Sequence, residues 1–173
     1  MANQAGPETI NRLRAAADSA FAMLAGMQLD VFTPLKNGPM TAEQIAAAIG
    51  VAPTRMRRLL YCLVAAELLT QGNAKFSNTA EANQFLVKGS PVYLGNKHGS
   101  IAHRWGTCLK TAESIRSGAP QAKLDFSNSL PQELETFLRT INVNTVPAAR
   151  TLLEKYDFSS VKTLADVGSG GAG

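Results

Sequence analysis

Asp166, Gly168 and Gly170 are the residues whose types and spacing could do chemistry in this 173-residue chain. They lie in Lys162-Thr-Leu-Ala-Asp-Val-Gly-Ser-Gly-Gly-Ala-Gly173, an apolar run with an acid near its end that passes straight into glycines. Glycine has no Cβ, so backbone N–H groups there can approach a nucleotide-type cofactor and the turn can take positive φ without steric cost. Gly168, Gly170 and Gly173 satisfy G-x-G-x-x-G literally, a pattern that also needs a following helix and, ~20 positions on, an acid for the ribose. Asp166 narrows the choice of cofactor. Two positions before Gly168, its carboxylate would crowd the anionic pyrophosphate of a dinucleotide but suits a cofactor with a cationic end. S-adenosylmethionine, with its ammonium and sulfonium, is such a cofactor. A flexible glycine tail left by truncation is the plainer alternative.

The elements leading to this loop are mostly helical. Ile10, Leu13, Ala17, Ala20, Leu24 and Met27 recur at spacings of three and four, predicting an amphipathic helix over 8–29 whose Ala-rich stripe could serve a core or a dimer seam. Thr41-Ala-Glu-Gln44 reads as a capping box opening a short helix that buries Ile45 and Ile49 and stops at Gly50. Pro53 opens a longer helix with Met56, Leu59, Leu60, Leu63 and Val64 on one face. These two helices form a helix-turn-helix, and Leu68-Leu69-Thr70 with Lys75-Phe76-Ser77 predicts a hairpin through a Gly-Asn turn, so the block reads as a winged helix.

Further helices follow. Thr79 caps a short one carrying Ala82, Phe85 and Leu86. Ile101, Trp105, Cys108, Ala112 and Ile115 predict one helix over 97–117 with a narrow heptad seam, ended by Gly118 and Pro120. Leu134, Phe137, Leu138 and Ile141 predict another, which Pro147 should kink or divide before Leu152. Tyr156-Asp-Phe-Ser-Ser then connects to a strand from Lys162.

Composition excludes several classes. With 45% hydrophobic and 17% charged residues the chain reads as globular, and no run approaches the ~18–20 apolar residues of a membrane span. The opening residues have neither the basic nor the apolar region of a secretory signal, so a cytoplasmic location is expected. Cys62 and Cys108 read as reduced packing residues, and His98 and His103, five apart, miss the i, i+4 spacing of a helical zinc pair, so no metal is expected. Residues 31–110 hold nine Lys/Arg against three Asp/Glu, which raises the question of nucleic acid. Arg55, Arg57 and Arg58 stand near the start of the second helix of the helix-turn-helix, where a DNA reader makes its contacts, yet they also occupy the ordinary polar positions of an amphipathic helix.

The acidic-x-Gly-x-Gly segment resembles motif I of the Rossmann-like methyltransferases, with Ala172 where a third glycine is usual. Taken in order, the whole set of elements resembles the small-molecule O-methyltransferases of the plant caffeate and bacterial polyketide-tailoring type. The segments that carry this are Leu29-Asp-Val-Phe32, Leu59-Leu60, Leu68-Leu69, the Trp105 helix ending at Gly118-Ala-Pro120, and Asp157-Phe158-Ser159 before the glycines. The resemblance implies a mainly α chain: a winged-helix dimerisation domain at 1–120, linking helices bordering a substrate pocket at 121–160, and at 161–173 the first strand of a truncated Rossmann-like domain. It implies a homodimer, S-adenosylmethionine at Asp166, Gly168 and Gly170, and a small-molecule acceptor near Trp105, Phe137, Ile141 and Asn144. Each of these four also suits a structural position, the apolar three as core and Asn144 as a cap before Pro147. The histidine base of that family lies well beyond motif I and has no counterpart here, so the chain by itself is expected to be inactive. A winged-helix DNA-binding regulator and a freestanding dimerisation module are the alternatives.

Overall fold

The structure, a computed structural model, describes residues 6–121, 131–165, 167 and 168. It is mainly helical with one two-stranded antiparallel sheet, and it divides into two compact units, the first ending at His98 and the second beginning at Gly99.

The first unit opens with α1 (Glu8–Gln28), whose two halves differ. Ala22, Leu24, Gly26 and Met27 are buried, whereas Ile10 is 71% and Leu13 58% exposed, so the expected stripe enters the core only in its second half. The helix ends at Asp30, which takes φ +58 while its N–H donates to Met27 O (3.2 Å) and that of Val31 to Gly26 O (3.0 Å). This left-handed step caps the last carbonyls and turns Val31 and Phe32 into the centre of the unit, where both are fully buried.

The capping box predicted before α2 (Ala42–Ala48) is present: the Gln44 N–H donates to Thr41 Oγ1 (3.3 Å), and the Thr41 N–H to Gln44 Oε1 (2.8 Å). Gly50 at φ +71 then lets the chain turn into α3 (Pro53–Ala65), which buries Met56, Leu60 and Leu63 against α1 and α2. Each such large side chain withdrawn from water contributes about 1.5–3 kcal/mol. Glu43 and Arg57 pair across α2 and α3 at 2.7 Å, but both are exposed, and such a pair contributes about 0–1 kcal/mol.

Strands β1 (Leu69–Gly72) and β2 (Lys75–Asn78) pair with Gly72 opposite Lys75, so the turn is Asn73-Ala74 rather than the expected Gly-Asn. Both turn residues have positive φ, +51 and +59, the geometry of a type I′ hairpin. Burial decides this register: Phe76 and Leu69 are 2% exposed, and Phe76 also exchanges both backbone hydrogen bonds with Met40. Helix α4 (Ala80–Phe85) follows, its Ala82 N–H held by Thr79 Oγ1 at 3.3 Å.

From position 98 on, three helices replace the expected two. α5 (His98–Cys108) and α6 (Thr111–Ser117) stand where one helix over 97–117 was predicted. The ladder tightens as the Lys110 N–H reaches Thr107 O (3.0 Å), and Thr111 Oγ1 donates to Cys108 O (2.7 Å), so a side chain satisfies a helix-end carbonyl and the seam is broken at Leu109-Lys110. Gly118, φ +69, ends α6 as predicted. α7 (Pro131–Lys155) is not divided: it is assigned as one helix through Pro147.

Two further expectations are corrected. Cys62 and Cys108 are exposed, not packing residues: Cys62 lies off the face of α3 that buries Met56, Leu60 and Leu63, and α5 buries none of its residues. Residues 162–165 form no strand, and Leu164 is 79% exposed. A lone strand has no neighbour to take its N–H and C=O groups, so the backbone stays solvated.

Candidate functional site

The glycine loop is approached from the C-terminal end of α7. Asp157 sets the turn that follows: its Oδ1 accepts from the Ser159 N–H (2.9 Å) and its Oδ2 from Ser159 Oγ (3.0 Å). The backbone N–H and then the hydroxyl of Ser159 hold the Asp157 carboxyl below the usual carboxylate range. The Val161 N–H closes onto Phe158 O at 2.9 Å, releasing the chain toward Lys162. An open hollow of about 500 Å³ borders this turn, lined by the consecutive residues Leu153, Glu154, Lys155, Tyr156, Asp157 and Phe158. It belongs to one stretch of chain rather than to convergent elements.

Of the predicted cofactor residues, Gly168 has φ +83 with nothing within 4 Å of the place a Cβ would occupy. An open, left-handed glycine fits a loop whose backbone must approach a ligand closely. Asp166 and Gly170 lie outside the described residues. Trp105 sits on α5 and is half-buried. Phe137, Ile141 and Asn144 fall at i, i+4 and i+7 on the α7 backbone and so share one face of it; their side chains lie outside the described residues. Among the described residues no group of three potential metal ligands occurs, and no helix is long and apolar enough to cross a membrane.

The strongest organised feature is the distribution of burial. Every buried apolar side chain among the described residues lies between Ala22 and Val87. Outside that interval Ile10, Leu13, Leu109, Ile115 and Leu153 are all more than half exposed. The first unit thus has its own core and carries Ile10 and Leu13 exposed outside it.

One cluster has no local signal in the sequence. Asp30 accepts from Thr33 Oγ1 at 2.5 Å and pairs with Lys88 Nζ at 2.9 Å, although Lys88 is far along the chain. The Asp30 carboxylate, first through this bond and then through its charge, raises the Lys88 pKa.

Comparison with known proteins follows the same division. Residues 16–88 match the family model described as the O-methyltransferase dimerisation domain, nearly the interval that holds the core. The chain is 30% identical over 156 residues to 3-hydroxy-5-methyl-1-naphthoate 3-O-methyltransferase of Streptomyces sahachiroi, covering 87% of this chain and 45% of that protein. It is 27% identical over 181 residues to the mitomycin biosynthesis 6-O-methyltransferase of Streptomyces lavendulae, covering 98% and 51% respectively. Among solved structures it is similar in fold to PigF with SAH, at TM-score 0.76 and 22% identity, over 96% of this chain and 52% of that one. The chain spans about half the length of the curated relatives it matches.

Proposed function

We propose that the chain is the dimerising and pocket-bordering portion of an S-adenosylmethionine-dependent O-methyltransferase, a reading supported by the dimerisation-domain match at residues 16–88 and by the 30% identity to the naphthoate methyltransferase. The acceptor is a hydroxyl of a small aromatic or polyketide-like molecule. The observation that carries this reading is the coincidence of the matched interval with the buried core, flanked by exposed apolar residues on α1. The names of the two Streptomyces relatives, a naphthoate and a mitomycin methyltransferase, support the acceptor class.

In this reading residues 1–120 form the homodimerisation domain, 121–160 border the acceptor pocket, and 161–173 begin the cofactor-binding domain, in a cytoplasmic protein. The first of these is a winged helix. The helix-turn-helix of α2 and α3, the β1–β2 hairpin, and the rung that Met40 adds to β2 support it.

S-adenosylmethionine, when bound, supplies an activated methyl group for an in-line displacement. The residues of this chain that would hold it are Asp166, Gly168 and Gly170: the carboxylate matches a cationic cofactor end, and the open positive φ of Gly168 lets backbone come close. Trp105, Phe137, Ile141 and Asn144 border the acceptor, so that alignment rather than acid–base chemistry is the contribution of this portion. The base that takes the acceptor proton is not among its residues, and the 173-residue chain alone neither binds the cofactor tightly nor turns over.

A DNA-reading role for α3 fits less well, because α2, α3 and the hairpin all fall inside the interval 16–88 matched to the dimerisation domain. The test is transfer of labelled methyl from S-adenosylmethionine to a panel of phenolic aromatic acceptors by the gene product that contains this segment. Incorporation into a hydroxyl is expected. No incorporation, together with salt-dependent retardation of duplex DNA, would give the regulator reading instead.

A further inference from the structure

The Asp30 cluster lies outside the candidate cofactor loop and pocket helices, and it grips the chain just before the two units part. Asp30 is fixed by its left-handed position at the end of α1 and by the Thr33 hydroxyl. It holds Lys88 Nζ at 2.9 Å, while the Lys88 backbone N–H donates to Thr33 Oγ1 at 3.1 Å. One residue is therefore held at both its side chain and its backbone by a loop that precedes it by more than fifty positions.

The stretch from Lys88 to Lys97 then crosses the first unit with little apolar anchoring beyond the half-buried Tyr93, since Val92 and Leu94 remain 44% and 36% exposed. Polar bonds hold it instead. Ser90 Oγ donates to Gln84 O (2.6 Å), the Tyr93 N–H to Ser90 O (3.1 Å) and the Leu94 N–H to Phe85 O (2.7 Å). The Tyr93 ring lies where a Cβ on residue 95 would stand, so Gly95 is what allows the phenol to fold back over the strap and lets the strap meet α1. His98 starts α5 directly after it.

We infer that Asp30, Thr33 and Lys88 form a conformational catch that holds the 88–97 strap on the first unit. With the catch open the strap opens more often while the core between Ala22 and Val87 stays folded, because the strap supplies no apolar side chain to that core. The inference rests on the strap geometry, not on the cofactor reading.

Amide exchange read by mass spectrometry is measured for the parent, Lys88→Met and Lys88→Arg. In Lys88→Met the amides of 88–97 should exchange at least about tenfold faster, with those of Leu60 and Leu63 unaffected. Lys88→Arg should restore the protection. Unchanged exchange at 88–97, a failure of the arginine to restore it, or a uniform loss of protection across the first unit would each overturn the catch, the last by making the pair an ordinary stabilising contact.

Discussion

Gly26 lies flush against the Phe32 ring: a Cβ placed on Gly26 would stand 3.1 Å from two ring carbons and 3.2 Å from Leu63 Cδ1. Phe32 and Leu63 are both fully buried, so neither can give way. This close approach lets α1 lie on α3 and, through the Asp30 turn, sets the path of the chain into the core.

Gly26→Val should therefore destabilise the first unit by about 1–3 kcal/mol, the usual cost of overpacking. Urea unfolding followed by far-ultraviolet dichroism measures it. A midpoint equal to that of the parent chain would show that the α1–α3 contact is looser than described.

Ala74 pays for the hairpin in backbone strain. A type I′ turn asks for positive φ at both central positions, and an L-residue with a Cβ is disfavoured there by about 1–2 kcal/mol. Ala74, at φ +59, should accept glycine gladly, and Ala74→Gly should raise stability by about 1 kcal/mol. A lower melting temperature in this variant would contradict the assigned turn.

Alkali should weaken the Asp30 cluster. The Lys88 pKa is raised above 10.5, first by its hydrogen bond to Asp30, and the Tyr93 pKa is raised above 10.0, first by burial and then by the Asp30 charge. Both groups bind their proton more tightly folded than unfolded. Their stabilisation is thus fully present below about pH 10 and is lost as pH rises through the folded values. Melting temperature should fall more steeply above pH 10 in the parent chain than in Tyr93→Phe or Lys88→Arg, the latter keeping its charge to higher pH. Three parallel pH profiles would refute the coupling.

What the sequence reveals of this fold is what is encoded locally. The Thr41–Gln44 box, the buried face of α3 and the glycine stops at Gly50 and Gly118 involve partners a few residues apart, and each stands where its pattern placed it. The hairpin turn moved by one residue because burial of Phe76, a tertiary effect, outweighs the turn preference of Gly72-Asn73. The heptad over 97–117 hid a break made by one hydroxyl, Thr111 on Cys108 O. The Asp30–Lys88 pair left no trace, since no periodicity links residues so far apart. At the candidate site the turn at Gly168 was legible because glycine alone takes that φ freely, while a strand at Lys162 was misread because pairing depends on neighbours rather than on its own residues.

The first unit should also stand alone. Since the buried apolar side chains among the described residues end at Val87 and the strap ends at Lys97, limited proteolysis should leave a resistant fragment ending near His98. Mass spectrometry of the digest identifies it. Primary cleavage within 42–87, with the later helices surviving, would contradict the assignment of the core to this unit.

The central proposal is that residues 16–88, with the exposed Ile10 and Leu13 of α1, build a self-associating portion of an O-methyltransferase. Sedimentation equilibrium of the chain at micromolar concentration tests it most directly. The account predicts a species of twice the 18.4 kDa chain mass, and a single monomeric species at 18.4 kDa would contradict it.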